Sequence, residues 1–236
     1  MEANERIDIE VADAIIDKPF AFEVSGKTLY IYPLTIGKQM LLARLYSQLN
    51  IEVGKLFADE IEQVYNICSH NKELICRILA YHTLSKKSEI LDIQLVNKRC
   101  KFLLKHLDIA DLTKLAFYVL QDNRVEEFTK HFGIDREQRD QQKIMRVKKD
   151  KNSISFGGRS PWGSLIDRAC ERYGWTYDYV VWGVSYINLT MMLADCSNTI
   201  FLSDDERKKV HISNDRTYID GDNKDNMEKI KALFNE

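Results

Sequence analysis

Proline is scarce, with three residues in a chain of 236, and glycine numbers only 10. A sandwich or barrel of many short strands needs a turn signal at each crossing, so this poverty argues against a turn-rich β fold and for long helices. Net charge is nearly absent: 34 Lys and Arg face 36 Asp and Glu, leaving -2, which excludes a protein whose whole surface grips nucleic acid. The five cysteines, Cys68, Cys76, Cys100, Cys170 and Cys196, are odd in number, widely spaced and form no CxxC pair. Neither a disulfide framework nor a zinc knuckle is indicated, and they read as reduced, buried thiols. Long apolar runs are missing too. The longest uncharged stretch, YVVWGVSYINLTMMLA between Asp178 and Asp195, has 16 residues, short of the roughly 20 that span a bilayer. It carries Ser185, Asn188 and Thr190 and reads as a buried or partner-facing helix. The first 20 residues hold six acidic and two basic side chains and no apolar core, unlike a secretory or transit peptide, so a cytoplasmic location is expected.

What is present is a core-forming composition, 44% hydrophobic and 30% charged, too apolar for a mainly disordered chain. Phe20–Val24 and Lys27–Tyr32 read as two strands around a Ser25-Gly26 turn, and Pro33 ends the second because it cannot donate to a ladder. Thr35 is placed to cap a Leu-rich helix running to Leu49 with Leu41, Leu42, Leu45 and Tyr46 on one stripe. Residues 54–132 are helical in pattern throughout. One stripe is Leu74, Ile75, Ile78, Leu79 and His82; another is Leu91, Leu95, Val96, Phe102, Leu103 and Leu107. Asp108 caps a third segment through Leu120, Asp122-Asn123 offers a cap for a fourth, and Gly133 stops it.

Residues 135–159 change character and read as a basic, exposed linker, helical at most in its first half. Lys143 through Lys151 holds five basic side chains against one acidic, and Gly157-Gly158 follows. Ser160-Pro161 then opens a helix with the cap and first-turn signature, carrying Trp162, Leu165, Ile166, Ala169, Cys170 and Tyr173 before Gly174. A second helix is expected from about Thr176 to Asp195, a short one behind the Ser203–Glu206 capping box, and a last one over 224–234. The fold class that follows is mainly α. A small N-terminal β-hairpin packs on a helical bundle (1–134), followed by the linker (135–159) and a smaller, aromatic-rich helical unit (160–236).

Motifs that carry chemistry are missing. There is no GxSxG elbow, SxxK pair, GxxxxGK[ST] loop or GxGxxG after a strand, so no catalytic residue is assigned and the chain reads as a non-enzyme. Cys68, His70 and Cys76 lack a fourth ligand at zinc spacing, and Asp220–Asp225 has its glycine at the wrong place for a calcium loop. No metal or cofactor is expected. The basic residues Lys143, Arg146, Lys148, Lys149 and Lys151 admit contact with nucleic acid or an acidic partner, but without interleaved aromatics a solvated linker is favoured.

The strongest local signal is aromatic: seven of the 25 residues from Trp162 to Tyr186 are Trp or Tyr. A helix that is apolar nearly all round must be covered on every side, by its own unit or by a partner. Trp, Tyr and Met are enriched at interfaces, so Trp162, Trp175, Tyr179, Trp182, Tyr186, Met191 and Met192 form the candidate protein-binding set, with a central core role as the equal alternative.

The order FAFEVSGKTLYIYPL, Thr35-Ile-Gly37-Lys38 opening a Leu-rich helix, a basic linker, and then Ser160–Tyr173 running into Trp182–Asp195 resembles the tail assembly chaperones of long-tailed bacteriophages. That resemblance covers about two thirds of the chain. It implies a non-enzymatic cytoplasmic role in the bacterial host: binding the helical, aggregation-prone tape measure protein while tail tube subunits polymerise around it. The partners it implies are the tape measure protein and tail tube subunits, with self-association as a further option and no membrane. The rival reading is a nucleic-acid-binding regulator that uses the basic linker.

Overall fold

The computed structural model of the chain describes residues 3–49, 60–120, 124–148, 158–196 and 199–210. The chain is mainly α, with a two-stranded antiparallel hairpin near its N-terminus packed on helices. Among the described residues no helix is long and apolar enough to cross a membrane. Contacts divide the chain into two units: Met1–Asp135 with Ile154–Ser197, and Arg136–Ser153 with Asn198–Glu236.

In the first unit, helix α1 (Ala3–Ile15) precedes strands β1 (Phe20–Val24) and β2 (Lys27–Ile31). The turn residues Ser25 and Gly26 both have positive φ, 50° and 72°, the twist that joins right-handed strands in a two-residue hairpin. Pairing of Phe22 with Leu29 and of Phe20 with Ile31 puts one apolar face inward. Val24 and Ile31 are buried, Phe20 stacks on Tyr118 at 4.4 Å between centroids, and the Lys27 amine lies 5.1 Å from the Phe102 ring centroid.

The helical body is α2 (Ile36–Tyr46, continued by a 3-10 turn at Ser47–Leu49), α3 (Glu60–His70), α4 (Lys72–His82), α5 (Lys87–Ile90), α6 (Ile93–His106) and α7 (Ile109–Leu120). Helix α4 is its centre, packing against α2, α3, α6, α7 and β2 and burying Ile75, Cys76, Ile78, Leu79 and Ala80. Facing it are Val96, Cys100 and Leu103 of α6, Leu112 and Ala116 of α7, Val64 and Cys68 of α3, and Leu42 of α2. Each fully buried Leu or Ile contributes about 1.5–3 kcal/mol relative to exposure, so this shared core is what steadies the hairpin. Asp92 caps α6 by accepting the N–H groups of Gln94 and Leu95 at 2.9 and 3.2 Å. That boundary leaves Leu91 exposed, outside the stripe expected for it.

Helix α8 (Arg124–His131) ends at Gly133, whose φ of 68° is the left-handed stop expected there. Helix α10 (Pro161–Tyr173) starts at Ser160, whose Oγ accepts the Gly163 N–H, and ends at Gly174 with φ 65°. The single helix expected from Thr176 to Asp195 is two: α11 (Tyr177–Trp182) and α12 (Tyr186–Ala194). The break falls at Gly183-Val184-Ser185 because Ser185 leaves the helical path to form a bridge with Thr35 and then caps α12.

The second unit contains α9 (Ile134–Val147) from Arg136 onward and α13 (Asp204–Val210). The Ser203 capping box is formed: its N–H donates to Glu206 Oε2 at 2.9 Å, and the Glu206 N–H donates back to its Oγ.

Two expectations are redrawn. Residues 160–196 do not stand apart from the N-terminal body, because Ile36 of α2 shares one core with Ala169, Val180, Val184 and Leu189. Residues 135–147, the first half of the basic linker, are helical to Val147, in keeping with the helical first half that the sequence allowed. The acidic N-terminal leader is helix α1, whose Ile7, Val11 and Ala14 pack against Phe128, Ile187 and Met191. The Asp122-Asn123 cap, Lys149, Lys151, Gly157, the Asp220–Asp225 turn and the 224–234 helix lie outside the described residues.

Candidate functional site

Helices α1, α8 and α12 meet at a small core of Ala14, Phe128 and Ile187. Asn188 ties two of them by donating from Nδ2 to the Ala14 carbonyl at 2.9 Å and to Asp17 Oδ1 at 3.0 Å, which satisfies the C-terminal end of α1. His131 Nε2 lies 3.1 Å from Asp8 Oδ1, linking α8 to α1, and the Tyr173 hydroxyl donates to the Met192 carbonyl at 3.0 Å, linking α10 to α12. These ties frame a cleft of about 530 Å³ without filling it. Val11, Ile15, Phe128, Phe132, Met191 and Met192 supply much of its wall, and Arg172 and Asp195 bring opposite charges to it. Ile15, Phe132 and Met192 are 67%, 47% and 40% exposed, so apolar surface spreads from the cleft onto the protein's face.

The aromatic set does not gather into one surface. Trp175 stands between Tyr173 at 4.7 Å and Tyr179 at 5.1 Å, the second edge-on. Trp162 tilts against Tyr186 at 5.8 Å, and the Tyr186 N–H donates to the Leu34 carbonyl at 2.6 Å. Trp182 packs on Gly37 so closely that a Cβ there would lie 2.5 Å from its ring, and the Lys87 amine sits 5.8 Å from that ring while pairing with Asp178. Of the seven predicted contact residues, Met191 and Met192 reach the cleft, and the aromatics join the C-terminal helices to each other and to α2.

The basic residues are partly occupied. Lys143 pairs with Asp140 at 2.7 Å, and Lys148 Nζ donates to the Phe201 carbonyl at 2.5 Å. Arg146 lies in the last turn of α9, where a cation suits the helix dipole. Of the thiols, Cys68, Cys76 and Cys100 are buried and Cys170 and Cys196 half-buried. Burial, aided by the neighbouring Cys100 thiol, pushes Cys76 up to about 12.

Two features escaped sequence reasoning. Phe128 and Phe132 reach the cleft only because α1 covers α8, and the signal for α1 was the Ile7, Val11, Ala14 spacing inside an acidic segment. The other is Lys38 on α2, which is 1% exposed; among the described residues its amine has no hydrogen-bond partner, and it lies 5.8 Å from the centroid of the Tyr32 ring. Burial lowers that amine from 10.5 to about 8.

The cleft offers adaptable apolar contact edged by one positive and one negative side chain. Methionines at its wall repack around irregular shapes at little cost. Comparison of the chain with protein-family models, with curated proteins and with solved structures finds no match.

Proposed function

We propose that this chain is a non-enzymatic adaptor of the phage tail assembly chaperone kind, working in the cytoplasm of a bacterial host. It holds apolar helical segments of the tape measure protein while tail tube subunits assemble. The observation that supports this reading is the cleft between α1, α8, α10 and α12, with Met191 and Met192 in its wall and Phe132 and Ile15 exposed beside it. An apolar helix laid there exchanges water-exposed hydrocarbon on both partners for mutual contact, worth roughly 25 cal/mol per Å² removed from water.

Co-expression of the tagged chain with the tape measure protein tests it. Recovery of the pair is expected with the wild type. A Phe132→Glu, Met192→Glu variant places two charges on the apolar face and should weaken capture at least about tenfold, while melting within a few degrees of the wild type because both positions are exposed. Equal capture by the folded variant would count against this surface.

A further inference from the structure

The two edges of the hairpin are not equivalent. A two-residue loop with positive φ at both positions closes on a pair that exchanges both hydrogen bonds, here Val24 with Lys27. Such pairs alternate along an antiparallel ladder, so Phe22 with Leu29 and Phe20 with Ile31 are of the same kind. Ala21 and Glu23 of β1, and Thr28 and Tyr30 of β2, therefore turn their N–H and C=O groups away from the partner strand. On the β2 side this series continues into Tyr32, whose N–H donates to the His82 carbonyl at 3.0 Å, and α4 packs against the strand. On the β1 side it meets nothing: among the described residues no group outside the hairpin bonds to the main chain of Ala21 or Glu23.

Strand β1 also lacks the devices that keep an edge from pairing. Its five residues, FAFEV, contain no lysine, proline or bulge, and Ala21 and Glu23 are both exposed. Side chains alternate along it: Ala21 and Glu23 stand on the outer face, Phe20 and Phe22 on the inner one, with Phe20 exposed and Phe22 half-buried. The strand is complementary to itself. Two copies set antiparallel about an axis at Phe22 bring Ala21 of each opposite Glu23 of the other, so the outward groups of both strands meet as hydrogen-bonded pairs. Phe22 then faces the same residue of the other copy at the closer, non-hydrogen-bonded spacing, and no like charges stand opposite one another.

We propose that β1 is an interface between two copies of this chain, whose hairpins join edge to edge into one antiparallel sheet with the β1 strands at its centre. A two-stranded sheet is marginal by itself, and this pairing gives each hairpin the further strands that a sheet needs. The interface is short, so its dimer belongs to the weak, transient class, with a dissociation constant on the order of 100 µM. None of the β1 residues lines the apolar cleft, so the inference stands apart from the adaptor reading.

Sedimentation of the full chain from about 5 µM to about 1 mM measures the association, and amide exchange with solvent, followed by NMR over the same range, locates it. A reversible dimer is expected, with exchange of the Ala21 and Glu23 amides slowed at high concentration and that of Thr28 and Tyr30 unchanged. Charge tests the register. Ala21→Glu sets a second carboxylate opposite Glu23 on both sides of the axis and should weaken the dimer at least about fivefold, whereas Ala21→Lys sets an ammonium there and should tighten it about as much. Ala21 is exposed, so both variants should keep the fold, which circular dichroism checks. Affinity falling in the order Lys variant, wild type, Glu variant supports the interface. A monomer throughout the range, or a dimer that the two variants weaken alike or leave unchanged, overturns it. Slowed Ala21 and Glu23 exchange only on addition of tape measure protein fragments also overturns it, because the edge then takes an extended segment of a partner and not a second copy.

Discussion

Replacing Lys38 by Met should make this protein more stable, and the gain should depend on pH in a defined way. Met keeps the unbranched stem and discards the amine, which is 1% exposed and, among the described residues, without a hydrogen-bond partner. Folding lowers the amine's titration point from 10.5 to about 8 through loss of water around the charge. At about 1.4 kcal/mol for each pH unit of that difference, holding the charged form inside costs on the order of 3 kcal/mol. Between pH 8 and 10.5 the unfolded chain keeps a proton that the folded chain has released, so over this window wild-type stability rises with pH. Below the window the cost is complete, and above it the cost is gone. Urea unfolding followed by circular dichroism, in chloride buffers free of phosphate and carboxylates, measures both proteins across the range. The variant should exceed the wild type by about 2–3 kcal/mol near neutral pH, a large share of a typical domain's stability, with the difference shrinking toward zero by pH 10.5. Contributions from the other titrating side chains cancel in the subtraction. A variant less stable at neutral pH, or a difference that does not change with pH, would refute the reasoning.

Gly37→Ala should destabilise by about 1–2 kcal/mol, the reverse of the gain expected for glycine to alanine in a helix, because the new Cβ meets the Trp182 ring at 2.5 Å. Adding Trp182→Leu should remove that penalty, and denaturant unfolding of the four proteins in the cycle reads the coupling. Of the five thiols, Cys170 and Cys196 should react quickly with a disulfide reagent in the native protein, whereas Cys68, Cys76 and Cys100 react only on unfolding; counting the fast phase checks this.

Local signals carried much of the fold. The Ser25-Gly26 turn, the Thr35 and Ser160 caps, the Gly133 and Gly174 stops and the Ser203 capping box all act within a few residues, and each stands where its chemistry puts it. What sequence could not convey was made by residues far apart. The break before α12 exists because Ser185 pairs with Thr35, 150 positions earlier, and no property of the stretch YVVWGVSYINLTMMLA announces that bridge. The aromatic cluster read equally as core or as surface because the outcome depended on whether α2 was there to receive Trp182, Tyr186 and their neighbours. The same limit hid the cleft: Met191 and Met192 were picked for their chemistry, while Phe128, Phe132 and the α1 wall that completes the surface come from the other end of the chain. Lys38 looked like an ordinary helix-start lysine, and only the surrounding packing removed its water.

The six methionines allow the account's central claim, that the α1, α8, α10 and α12 cleft receives the partner, to be tested residue by residue. With methyl-labelled methionine, the ε-methyl resonances are followed as tape measure protein fragments are added to the full chain. The account predicts that Met191 and Met192, which line the cleft, shift or broaden, while Met40 and Met145, exposed elsewhere, stay in place. Movement of Met40 or Met145 with Met191 and Met192 unchanged would contradict it.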